Sequence, residues 1–350
     1  MNIAPRPVLM VRGTVWRQAS LATSISRSRG YLRAAPRACA LVGAEVKDRR
    51  AYVGAVPVVD AGMPPLRCLG PGACHHRAVA GELRYRTDLF KGTAEYYDRF
   101  RPPYPAVLLD DLRANVPLGS GARLLDLACG TGQVAFGLAA DVAEVWAVDL
   151  EAQSIEFARR KGESLGVTNI RWIAAAAEEV VLEGAFDLVA IGNAFHRLDR
   201  DVVATRLVPH LAERGCIALL WGGTPWRGER PWQLALYDTL ERWRDRVGGR
   251  DRAPEGWEQE MDRDPHEQVL LRAGLSYAGL FEYSVVERWS IESIIGFVYS
   301  TSFLNRAVLE HRVDAFENDL RRQLLACCPD GVFEHDLTFA YELARRAACS

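Results

Sequence analysis

Apolar residues along this chain follow two rhythms. Short runs that are apolar almost throughout recur at Leu124-Leu125-Asp126-Leu127-Ala128, Val145-Trp146-Ala147-Val148, Ile170–Ala174, Phe186–Ile191 and Cys216–Trp221. Their length and composition suit strands buried on both faces. Between them, apolar residues spaced three or four apart predict helices over 107–115, from Gln133 onward, over 152–165 and over 202–211. Strands alternating with helices predict an α/β chain with parallel pairing, its crossovers covering both faces of the sheet.

After Trp221 the alternation breaks. Pro231 opens an amphipathic helix with the stripe Trp232, Leu236, Leu240, Trp243 and Val247, and residues 275–290 read as a strand with its flanks. A second amphipathic helix carries Leu309, Val313, Phe316, Leu320 and Leu324. Leu337, Phe339, Tyr341 and Leu343 then alternate with Thr338, Ala340 and Glu342, the period of a half-buried strand. That strand is expected to run antiparallel to the rest.

Charge divides the chain. Of its 350 residues, the first 88 hold 14 Lys and Arg against 5 Asp and Glu, whereas residues 89–350 hold 29 against 40. The acidic balance of the larger part makes it a poor partner for nucleic acid, where binding rests on neutralising phosphates. Residues 1–44 contain seven Arg and no acid. That composition fits a transit peptide, a disordered arm, or sequence upstream of a start at Met63. The expected organisation is a basic, disordered extension over 1–88 and one domain over 89–350, with a core at 123–221 and a helical cap and C-terminal strands at 222–346.

No apolar run approaches the ~20 residues that span a bilayer. The eight cysteines are scattered, and Cys68 with Cys74-His75-His76 lacks the paired spacing of a zinc site. No metal is expected.

The chemistry concentrates at Asp126-Leu127-Ala128-Cys129-Gly130-Thr131-Gly132-Gln133. Gly130 and Gly132 permit the dihedrals of a tight bend and a close approach by ligand. The bend follows a strand, at the sheet end where open α/β folds bind their ligands. Asp149, ending the next strand, is placed to accept hydrogen bonds from both hydroxyls of a ribose. Gly130-Thr131-Gly132-Gln133-Val134-Ala135 also fits the dinucleotide pattern G-x-G-x-x-A. Asp126 argues the other way, because a carboxylate beside the bend repels a pyrophosphate and favours a cationic, phosphate-free nucleoside. A nicotinamide-dependent oxidoreductase and a non-catalytic cofactor-binding protein stay as alternatives.

Residues 123–221 resemble the class I S-adenosylmethionine-dependent methyltransferases, in particular the ubiquinone/menaquinone-biosynthesis-like methyltransferase domain. The resemblance implies a Rossmann-like, mostly parallel seven-stranded sheet with helices on both faces, an antiparallel last strand and a helical cap after the fifth. It implies that Asp126, Ala128, Cys129, Gly130, Thr131 and Gly132 wrap the methionine part of S-adenosylmethionine, that Asp149 holds the ribose, and that Leu150 packs near the adenine. Ala175-Ala176-Ala177-Glu178 matches the family's D-A-E stretch. There Ala176 replaces the usual acid, leaving Ala177 and Glu178 to border the adenine. Tyr96-Tyr97-Asp98-Arg99-Phe100-Arg101-Pro102-Pro103-Tyr104-Pro105 resembles the Y-D-x-x-R-P-x-Y-P segment of trans-aconitate-methyltransferase-like proteins, which implies that Tyr97 and Arg101 reach the methionine end.

Asn193 and His196 follow the fourth strand, where this family borders both cofactor and substrate. His196 is the candidate general base, its ordinary pKa lying near neutrality. A loop histidine that closes the site without taking a proton is the competing role. Trp221 and Trp226 flank the end of the fifth strand, either lining an acceptor pocket or packing a lid. The expected protein is a cytoplasmic enzyme that methylates a small molecule; the sequence leaves the acceptor and the oligomeric state open.

Overall fold

The computed structural model describes residues 88–252 and 257–347. The expectations for the basic N-terminal extension, and for Cys68 and Cys74-His75-His76, lie outside the described residues.

Seven strands form one sheet: β1 (Gly119–Leu127), β2 (Val142–Asp149), β3 (Ile170–Ala174), β4 (Phe186–Gly192), β5 (Leu211–Gly222), β6 (Leu275–Ser290) and β7 (Val332–Arg346). Their order is β3-β2-β1-β4-β5-β7-β6. The first five pair in parallel, and β7 lies antiparallel between β5 and β6. The last strand is thus the one that runs against the others, as the alternation at 337–343 predicts.

The helices preceding β4 are α1 (Ala94–Phe100), α2 (Ala106–Asn115), α3 (Gln133–Leu138) and α4 (Ala152–Leu165). Those that follow are α5 (Arg200–Leu207), α6 (Pro231–Arg246), α7 (Trp257–Arg263), α8 (His266–Arg272), α9 (Ile291–Tyr299), α10 (Arg306–Leu309) and α11 (Val313–Cys327).

Burial explains why the interior strands are apolar on both faces. Leu124, Val145, Leu188 and Ala218 pack with Leu108 and Leu112 of α2, Leu236 of α6 and Phe316 of α11. Their chain neighbours Leu125, Trp146, Val189 and Ile217 point the opposite way, onto Val203 and Leu207 of α5 and Val269 of α8. At ~25 cal/mol per Å² of apolar surface removed from water, these two layers supply the main favourable term for folding.

Several boundaries differ from the expected ones. The helix after β4 ends at Leu207, and a short 3-10 turn at Val208–His210 hands over to β5 at Leu211. Pro209 explains this, because its ring removes an amide donor and clashes with the preceding turn. β1 begins at Gly119 rather than Leu124, through a shift of register against β2 between Gly119 and Arg123. Val247 falls just past α6 as its cap, and Leu309 belongs to α10 rather than to the long helix. Both still pack against the core.

Candidate functional site

The carboxyl ends of β1, β2 and β4 lie side by side, and Asp126 is buried there. It is 1% exposed. Its Oδ2 accepts from the Ala135 amide in α3 at 2.8 Å. Its Oδ1 is buried without a hydrogen-bond partner. Burial pushes this carboxyl up to about 7, with the Ala135 amide opposing the shift and nearby Asp149 adding to it.

The bend that follows alternates into left-handed backbone at Ala128 (φ 57°), Gly130 (φ 55°) and Gly132 (φ 82°). The two glycines are needed for different reasons. A Cβ on Gly132 would meet the Trp172 ring at 2.8 Å, whereas one on Gly130 would project into open space. Ala128 holds the same conformation with a side chain, a strain of about 1–2 kcal/mol. The Cys129 amide donates to Val148 O at 2.9 Å, which keeps the bend tied to β2. Thr131 is 1% exposed, and its hydroxyl has no partner.

Asp149 does more than face outward. One oxygen accepts from the Gly130 amide at 2.7 Å and the other from the Glu151 amide at 2.8 Å. Burial raises its pKa while these two donors hold it down. The acid expected to meet a sugar therefore first braces the glycine bend, and each oxygen keeps a lone pair for a further donor. Leu150 beside it is 50% exposed.

Beyond β3, Ala177 packs against the second core layer. Glu178 accepts from the Asp199 amide at 3.0 Å and so ties this loop to the start of α5. Beyond β4, Asn193 is held at φ 52°. Its amide donates to Leu220 O at 2.7 Å, its Oδ1 accepts from the Gly222 amide at 3.2 Å, and its Nδ2 donates to the Tyr104 hydroxyl at 3.1 Å. It is the clasp between the ends of β4 and β5.

His196 is half-buried, and its Nε2 accepts from Arg197 Nε at 3.1 Å. Burial and the neighbouring charges of Arg197, His266, Arg200 and Arg227 hold its pKa well below the ordinary histidine value. It is neutral near pH 7, and the ring nitrogen able to accept a proton is engaged.

The segment from α1 to α2 crosses the same sheet end. Part of Arg101's surface is open, yet its guanidinium lies within the protein, over the Tyr97 ring at 4.9 Å and the Phe297 ring at 4.2 Å. Its Nε donates to Ser300 Oγ at 2.8 Å, its only hydrogen-bond partner among the described residues. Burial lowers its pKa. Tyr97, Arg101 and Asn193 line one crevice together with Tyr104, Gln133 and Phe297. His196 and Glu178 are not among the residues that line it.

Sequence reasoning did not single out Tyr104, Ser300 or Phe297. Tyr104 sits in the quoted Pro-rich segment. Phe297 belongs to the run Ile294–Tyr299, buried throughout, where nothing separates a site residue from core. Among the described residues, no group of three or more His, Cys, Asp and Glu is arranged to hold a metal ion.

Trp226 packs edge-on to Phe297 at 5.4 Å and to Phe303 at 5.8 Å. Trp226 is not among the residues that line the crevice, and it touches that lining through Phe297. No helix among the described residues is long and apolar enough to cross a membrane.

Parts of the chain are similar to known proteins. Residues 124–215 match the family described as "Methyltransferase domain". The ubiquinone biosynthesis O-methyltransferase of Xylella fastidiosa is 31% identical over 130 residues, covering 35% of this chain and 52% of that protein. An uncharacterized RNA methyltransferase of Bacillus cereus is 29% identical over 90 residues, covering 26% of this chain and 20% of its own length. The chain thus spans about half the length of the first relative and a fifth of the second. Among solved structures, the YcgJ protein of Bacillus subtilis is 16% identical with a TM-score of 0.44, covering 69% of this chain and 99% of that one. The matched segment begins at the first residue of the run leading to Asp126 and closes as β5 enters the sheet. Residues 124–215 are thus similar to a methyltransferase domain.

Proposed function

We propose that this chain is a cytoplasmic enzyme that transfers a methyl group from S-adenosylmethionine to a small-molecule acceptor. The observation that carries the reading is the buried, unpartnered Oδ1 of Asp126 at the bend. A carboxylate there is costly unless a cation meets it. A methionine ammonium is such a cation, and a pyrophosphate is not.

Other residues fit the same cofactor. Arg101, half-buried with a serine as its only hydrogen-bond partner among the described residues, would take the methionine carboxylate, with Tyr97 stacked beside it. Ala128, Cys129, Gly130, Thr131 and Gly132 would follow the methionine part. The remaining lone pairs of Asp149 would take the sugar hydroxyls, with Leu150, Ala177 and the Glu178 loop around the base.

When bound, the cofactor supplies a methyl group made electrophilic by its sulfonium. The protein's task is then to align the acceptor, and reacting geometry alone contributes several kcal/mol, on the order of 7–11 at best. Asn193 fixes the wall against which alignment occurs. His196 is assigned a closing role, because its acceptor nitrogen is engaged by Arg197. This arrangement suits an acceptor that is already nucleophilic and needs no base.

The acidic balance of residues 89–350 favours a small molecule over a polynucleotide, although one relative carries the name of an RNA methyltransferase. Calorimetry with S-adenosylmethionine, S-adenosylhomocysteine and NAD, followed by labelled-methyl transfer into cell extract, tests the reading. Binding of the first two and label in a small-molecule fraction are expected. Binding of NAD in their place sinks it. Cofactor binding without transfer to any fraction would leave a binding protein that does no chemistry.

A further inference from the structure

Tyr104 is 7% exposed, lines the crevice, and has no role in the account so far. The direction of its hydrogen bonds is set by its neighbours. The Gly222 amide donates to Oδ1 of Asn193, so the Asn193 group facing Tyr104 is the NH₂, which only donates. The phenol oxygen is therefore an acceptor in that bond, and its own proton points elsewhere. Among the described residues that proton has no acceptor.

The surroundings keep the proton in place. Burial, with Tyr97 and Asp126 nearby, pushes the phenol well above its ordinary range. Arg101 opposes that shift only as the smallest of the causes. Tyr104 is thus a fixed donor and not a base.

Its position also selects a ligand. The ring packs edge-on to Phe339 at 6.3 Å. Gly192, ending β4, leaves room for the hydroxyl, since a Cβ there would meet it at 2.9 Å. Asn193 and Gly222, which hold or border it, stand at the ends of β4 and β5, on the far side of β1 from Asp149 and β2. Left-handed backbone at a residue with a side chain, as at Asn193, is a strain that persists where the surroundings enforce it, and such residues cluster at functional sites.

We propose that Tyr104 orients the methyl acceptor, its hydroxyl donating a hydrogen bond to an acceptor oxygen adjacent to the atom that takes the methyl group. The acceptor class is then a compact molecule with a carbonyl, carboxylate or phenolic oxygen. This rests on the methyltransferase reading above.

The full chain, loaded with S-adenosylhomocysteine, is titrated calorimetrically with sodium benzoate and, separately, with benzylamine. Benzoate presents an oxygen acceptor on an aromatic ring, and benzylamine presents only a donor. In Tyr104→Phe, S-adenosylhomocysteine is expected to bind within about twofold of wild type while benzoate weakens by about tenfold or more, the loss of one hydrogen bond to a charged group. Benzylamine is expected to gain nothing from the hydroxyl, so its binding is unchanged by the substitution. Equal benzoate binding by both proteins, or none by either, overturns the proposal. A loss of S-adenosylhomocysteine affinity as large as that of benzoate also overturns it, since the hydroxyl would then serve the cofactor. Failure of the wild-type chain to bind S-adenosylhomocysteine is a separate result, and it removes the methyltransferase reading itself.

Discussion

The Gly130 amide donates to the Asp149 carboxylate across 2.7 Å, so the acid that ends the second strand holds the bend that follows the first. Two jobs on one side chain separate in mutants. Asp149→Ala is expected to weaken S-adenosylmethionine binding by about 1.5–3 kcal/mol through lost charge-assisted bonds. It should also loosen the bend, seen as faster amide exchange at Gly130 in the free protein. Wild-type affinity in the variant removes the sugar-binding assignment, and unchanged exchange removes the bracing one.

Asp126 makes stability and ligand affinity respond to pH in opposite directions. Its carboxyl rises from the ordinary 3.8 to about 7 in the fold. Between those values the folded chain holds a proton that the unfolded chain has released, so its contribution to stability falls as pH rises from about 4 to about 7. Binding of an ammonium favours the ionised form, so cofactor affinity is expected to climb over pH 6 to 8. Urea midpoints and calorimetry at pH 5.5 and 8 measure both slopes. Asp126→Asn should flatten both and lower affinity at pH 8; a variant that keeps the rise in affinity shows that another group is responsible.

His196→Asn is expected to leave the pH profile of methyl transfer unchanged near neutrality and to reduce its rate by less than about tenfold, below the ~10²–10⁴ that a general base contributes. Burial already keeps this ring neutral there. A loss of a hundredfold or more with the profile moved would restore His196 as the base.

Gly132→Ala joins a left-handed φ to a contact of 2.8 Å with Trp172. Destabilisation of about 2–4 kcal/mol is expected from the two effects together. Thermal or denaturant unfolding measures it, with loss of cofactor binding alongside. A change under 1 kcal/mol would mean that Trp172 yields its place freely.

Trp226→Ala removes the ring behind Phe297 and Phe303. About 2–3 kcal/mol of stability is expected to go with it, while S-adenosylmethionine affinity stays near wild type and benzoate affinity falls. If benzoate binding is untouched, the wall of the crevice stands without this support.

Much of the scaffold was legible because interior parallel strands leave no polar face. Val145–Val148 of β2 and Leu188–Ile191 of β4 stand out as apolar runs, and Asp126 is conspicuous as the charge inside the β1 run. β7 was legible for the opposite reason, its alternation. The start of β1 was not, because Gly119-Ser120-Gly121 are exposed and carry no apolar signal. Nor does local pattern report bonds that close over great separations. Arg101 meets Ser300 199 positions away, and Tyr104 meets Asn193 89 positions away. The bend, its acid and the second-strand Asp were readable from sequence. The hydrogen bonds that aim Tyr104 and occupy His196 exist only once the fold brings those segments together.

The seating of β7 between β5 and β6 governs how the molecule is completed. Without residues 332–346, the strand ahead of them in the sheet and the 16-residue strand beyond each present an unsatisfied ladder, and the long one has no other strand to pair with. Losing these fifteen residues would therefore divide the sheet rather than shorten it, and leave two adhesive rims in place of one.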